Sequence, residues 1–95
     1  MAEDLAPGAG SSPLCDAYPN PFHEAQTAII KAEVAPGESG ILTLCNLRGQ
    51  VVREIALEPG THRISIKGEE LAPGIYLCGL KTRSGRWVKK IVLLQ

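Results

Sequence analysis

Three cysteines, two histidines and two aspartates are the side chains in this chain from which an active centre would have to be assembled. Catalysis by a nucleophile needs a base within hydrogen-bond reach and a third group that orients the base. Cys15 and His23 are the pair close in sequence; His62 is far downstream, and Asp4 and Asp16 both lie near the N-terminus. Nothing beside Cys15 and His23 identifies an orienting group or an oxyanion site, so no catalytic role is assigned. Cys15, Cys45 and Cys78 are too scattered for a zinc knuckle, which needs ligands two to four residues apart. Cys45 and Cys78 sit in apolar runs, where a thiol acts as a small hydrophobe, with a disulfide between them as the alternative. Gly37, Gly40 and Gly74 precede strand-like runs, whereas a phosphate loop opens a helix. The expectation is a non-enzyme with no cofactor and no metal.

The elements around these residues are strands. From Thr27 onward, short β-prone runs alternate with turn residues, and no stretch carries helical periodicity over three turns. The runs are TAIIKAEV (27–34), ILTLCNL (41–47), VVREIAL (51–57), THRISI (61–66), IYLCGLK (75–81) and RWVKKIVLL (86–94). Gly49 in the connection NLRGQ signals a hairpin, and TRSG closes a second one. The nearly continuous hydrophobes of 41–47 suggest a strand covered on both sides or central to a sandwich. A short strand around Leu14 to Tyr18 brings the total to about seven, and an immunoglobulin-like antiparallel β-sandwich accommodates them. Ile30, Leu42, Leu44, Ile55, Ile64, Ile66, Ile75, Leu77 and Ile91 are expected to supply most of its core. Gly74, following Pro73, is expected at the third position of a type II turn.

Residues 18–26 read YPNPFHEAQ. Each proline pushes the residue before it out of the α region and lacks the N–H of a central strand, which excludes helix and leaves a sheet edge. Phe22, the only phenylalanine, is the anchor expected to seat against the core. The preceding MAEDLAPGAGSSP is small, polar and rich in Gly and Pro, so residues 1–13 read as a flexible linker or a cloning remnant and 14–95 as the domain. Within it, residues 6–13 are the stretch a protease would favour.

Ninety-five residues suit one small domain with a thin core. Formal net charge is zero, which removes the basic signature of a nucleic-acid binder. The charges are nonetheless sorted. Residues 1–30 hold four acids and no Lys or Arg; residues 81–95 hold Lys81, Arg83, Arg86, Lys89 and Lys90 and no acid. That end is a solvated face or a surface for an anionic partner. No apolar run approaches the roughly 18 residues of a membrane span, and no charged-then-apolar leader opens the chain. The chain is therefore either cytosolic or a piece of a longer exported protein.

YPNPF, NLRGQVV, LAPGIYLCGL and KKIVLLQ, in this order over residues 18–95, resemble the C-terminal sorting domain of type IX secretion cargo proteins. The resemblance implies a non-catalytic Ig-like signal at the end of a protein exported by a Bacteroidetes-type bacterium. It implies as partners an outer-membrane translocon, a sortase-like processing protease and an N-terminal passenger, with transit through the periplasm to the cell surface or medium. On the matching motifs, the residues it nominates for binding are Pro19, Asn20, Pro21, Phe22, Gly49, Pro73, Gly74, Tyr76, Lys89, Lys90, Ile91 and Val92. A terminal strand read through its exposed edge is the expected mode, with Lys89 and Lys90 either steering the partner or blunting the edge against aggregation. The competing reading is an Ig-like accessory module that binds protein or carbohydrate, or that anchors a secretion component. Four aromatic residues are few for a glycan platform.

Overall fold

A computed structural model describes residues 13–95. Seven strands follow one another: β1 (Phe22–His23), β2 (Thr27–Val34), β3 (Gly40–Asn46), β4 (Val51–Leu57), β5 (Gly60–Lys67), β6 (Gly74–Thr82) and β7 (Gly85–Leu94). A 3-10 turn at Gly68–Glu70 separates β5 from β6. One sheet has the order β1-β7-β6-β3-β4 and the other pairs β2 with β5, and the buried side chains fill the space between them. The expected all-β sandwich of seven strands is what the chain forms. Every pairing is antiparallel except that of β1 with β7, which is parallel.

Period-two patterning explains β2, where Ala28, Ile30, Ala32 and Val34 point inward and their neighbours outward. It explains β3 as well, although that strand is covered on one face only: Leu42 and Leu44 are buried, while Ile41 faces solvent. Phe22 is fully buried, so the anchoring role expected of it holds.

The stretch Leu14 to Tyr18 does not form the strand expected there. It makes two isolated bridges to β2, Leu14 to Ala32 and Tyr18 to Ile29, with three residues between them opposite two. That extra residue breaks the ladder as a bulge does. The seventh strand is instead Phe22–His23.

Two core assignments also reverse. Ile75 and Leu77 are each 39% exposed, whereas Tyr76, Cys78 and Leu80 are buried. Pairing of Leu44 with Cys78 and of Leu42 with Leu80 puts the even-numbered residues of β6 on the inner face. A slip of one residue exchanges the faces of a strand, and in an all-apolar run the sequence carries no mark of which parity is inside.

One side chain joins the two sheets, and a backbone bond extends the β2–β5 ladder into the turn after β1. Arg53 of β4 reaches inward and donates from a guanidinium nitrogen to the carbonyl of Ser65 on β5 at 2.7 Å. On the opposite side the turn between β1 and β2 meets the end of β5: Gly68 donates its N–H to Gln26 O at 2.9 Å. A Cβ on Gly68 would stand 2.6 Å from His23 O, so this contact requires glycine.

Candidate recognition site

The four sequence motifs converge on one end of the five-stranded sheet. Asn46, which opens the β3–β4 hairpin, pairs with Tyr76 at the start of β6; Tyr76 pairs with Ile91 of β7. Leu93 of β7 lies between Gly74 on one side and Phe22 on the other. Residues far apart in the chain thus meet at one end of the sheet, with Phe22, Tyr76, Ile91 and Leu93 on its buried face.

Each motif is held by its own local chemistry. In the hairpin, Asn46 Oδ1 accepts from the backbone N–H groups of Arg48 (2.9 Å) and Gln50 (3.0 Å), an Asx-type arrangement that fixes the loop. Gly49 completes it with φ of 84°, a left-handed conformation that other residues resist. Gly74 also has positive φ, 151°, as expected. Yet a type II turn needs about +80° at that position, so the loop is of another kind. Tyr76 donates its hydroxyl to the Ala72 carbonyl, and Leu71 N–H bonds to Gly68 O, so the phenol and the 3-10 turn set the loop's path. This tether resembles the tyrosine corner of β-sandwiches.

Asn20 has the most consequential position. Its Nδ2 donates to the Lys90 carbonyl at 2.8 Å and its Oδ1 accepts from the Val92 N–H at 3.0 Å. The side-chain amide thereby occupies the β7 edge as a neighbouring strand would. The peptide bonds before Pro19 and Pro21 are both cis. Glu24 N–H then bonds to Leu94 O at 3.1 Å. The expected exposed edge at the end of the terminal strand is therefore covered from Lys90 to Leu94, because the YPNPFHE segment folds back over it.

Lys89 and Lys90 do not act as a pair. Successive strand residues face opposite ways. Lys89 lies on the inner side at the rim, where its ammonium is 3.8 Å from Asp16, and Lys90 projects from the outer face. Phe22, Tyr76 and Ile91 are buried, so a partner meets the backbone and neighbours they position and not their side chains. Asp16 and Gly68 were invisible as contributors, since each acts through a long-range contact without a pattern in sequence. The role of Asn46 is local, and its Asn-x-x-Gly spacing within NLRGQVV is the signal that marks it.

The thiols are free. Cys78 points into the core beside Leu44, and Cys45 lies on the opposite face of the sheet. Burial, with a smaller contribution from Cys45, pushes the Cys78 thiol up to about 11, so it is inert near neutrality. Among the described residues no group of three His, Cys, Asp or Glu could hold a metal ion, and no helix is long and apolar enough to cross a membrane.

Residues 16–94 match the family described as the secretion system C-terminal sorting domain. No curated protein matches the chain. The chain belongs to this family of type IX sorting domains, non-catalytic modules that meet the secretion machinery and direct a cargo protein through the outer membrane to the surface or the medium.

Proposed function

We propose that the outer-membrane translocon reads this domain as a folded module, at the end of the five-stranded sheet where the four motifs meet. Residues 14–95 are the signal, and the passenger precedes it and crosses the periplasm with it. A sortase-like protease cuts within residues 6–13; of these, residues 6–12 lie outside the described part of the chain. The observation that carries this reading is the Asn20 bridge to Lys90 and Val92. It joins the segment of Pro19, Asn20 and Pro21 to Lys90 and Val92 of the terminal strand. This supports a recognition surface at this end of the sheet that also takes in Gly49, Pro73 and Gly74, with Phe22, Tyr76 and Ile91 beneath it.

Replacing Lys89 and Lys90 by Gln in a complete cargo tests the basic contribution. Lys90 is exposed, where a substitution shifts stability by less than about half a kcal/mol. Lys89 is half-buried beside Asp16, so protease resistance of the cargo is measured alongside export to establish that the fold remains. Folded cargo held in the periplasm is the expected result; export at the normal rate would remove both lysines from the signal.

A further inference from the structure

The outer face of β3, β6 and β7 carries a shallow groove of about 580 Å³. Gly79 makes its floor: a Cβ there would come no nearer than 3.4 Å to Thr43 Oγ1, so the dent exists because a side chain is missing. Ile41, Leu77 and Val88 form apolar walls and remain 47%, 39% and 54% exposed. Lys81 and Arg86 stand directly opposite each other at one end. Like charges across a strand pair are unfavourable, and among the described residues neither has an acid within 4 Å.

A free length of backbone adjoins the groove. Strand backbone groups alternate in direction, so the N–H and C=O of Arg86 and Val88 point away from β6, as those of Lys90 and Val92 do. Asn20 and β1 cover the edge only from Lys90 onward. The groups at Arg86 and Val88 have no backbone or side-chain partner among the described residues.

We propose that an extended segment of the secretion machinery, carrying aliphatic and acidic side chains, adds to β7 along Arg86–Val88. Its aliphatic groups pack along Val88 and reach over it into the groove at Gly79, and its carboxylates neutralise Lys81 and Arg86. This rests on the sorting function and names the chemistry of the partner. A second copy of the chain fits poorly. Lys81, Arg86 and Lys90 share this face with one acid, Glu54, so two copies face to face would oppose like charges.

The experiment follows surface arrival of a complete cargo in a bacterium that carries the machinery. Three variants are compared with wild type: Gly79→Val, which fills the groove on a strand that favours valine; Lys81→Glu with Arg86→Glu; and Arg63→Glu on β5 in the other sheet. Protease resistance of the cargo in the periplasm reports folding. Surface arrival is expected to fall about ten-fold for the first two, as when an interface anchor is removed, with folded cargo behind the outer membrane. Arg63→Glu should be exported normally. Normal export of folded Gly79→Val or of the charge reversal overturns the groove proposal while leaving the sorting function intact. Should one of these variants lose its protease resistance, the decision passes to the folded one and to Val88→Glu, an exposed change expected to block export. A wild-type cargo that stays inside overturns the sorting function itself. Dimerisation of wild type in sedimentation that Gly79→Val abolishes overturns the choice of partner.

Discussion

At the scale of single residues, burial decides what each thiol and aliphatic group can do. Leu44 is 2% exposed and packs in the centre of the core, so Leu44→Ala should cost about 2–5 kcal/mol, a large part of the stability of a small domain. Urea denaturation measures it; a loss under about half a kcal/mol would place Leu44 outside the core. Cys78 makes a second case. Its thiol is raised from an ordinary 9.0 to about 11, so between those values the unfolded chain loses a proton that the folded chain keeps. Stability present below pH 9 therefore falls as pH rises towards 11. Cys78→Ala should flatten that fall in urea midpoints measured across the window. Alkylation of the native chain followed by mass spectrometry should modify the exposed Cys15 and leave Cys78 untouched until denaturant is added.

At the scale of elements, one side chain covers a strand edge that no strand pairing covers, and one glycine lets the turn after β1 approach the end of β5. The Asn20 amide makes two hydrogen bonds to β7, each worth about 1 kcal/mol net. Asn20→Ala should lower stability by about 1–2 kcal/mol and speed amide exchange at Val92, whose N–H would lose its partner. Unchanged exchange at Val92 would show that the segment holds the edge without Asn20. Gly68 supports the other side of the turn after β1. A Cβ there meets backbone at 2.6 to 2.8 Å, which cannot relax by a rotamer change. Gly68→Ala should cost about 3 kcal/mol or more. Gly49→Ala, in open space with φ of 84°, should cost about 1–2 kcal/mol from backbone strain alone. Thermal denaturation of the two variants side by side tests the order.

At the scale of the whole molecule, the fold brings the segment of Asn20 to His23 against β7. Pro13 is already tied to the sandwich, since its carbonyl accepts from Glu33 N–H at 2.8 Å. A protease that spares hydrogen-bonded backbone would therefore cut before Pro13, within the segment proposed for processing. Mass spectrometry of surface cargo should find the passenger ending between residues 6 and 12, just before the tethered Pro13. Cargo intact through Gln95 at the surface would identify a member that keeps its sorting domain.

Six strands were legible in the sequence to within a residue or two at each end. Gly49, Gly74 and the prolines punctuate runs such as TAIIKAEV, and local backbone preference acts on neighbouring residues alone. The four motifs, read in order, also identified the sorting class. The sequence left undecided which face of IYLCGL is buried, because an all-apolar run satisfies either parity and only pairing with β3 selects Tyr76, Cys78 and Leu80. It left undecided the fate of the terminal edge as well. Asn20 meets Val92 across 72 positions, and a contact of that separation has no local signature. Charge placement followed the same division: composition gathered the basic residues at the end of the chain, while tertiary pairing sent Lys89 to Asp16 and left Lys81 opposite Arg86. Local propensity and period belong to the sequence, and sheet register and long-range side-chain contacts belong to the folded molecule, since they depend on which strands become neighbours.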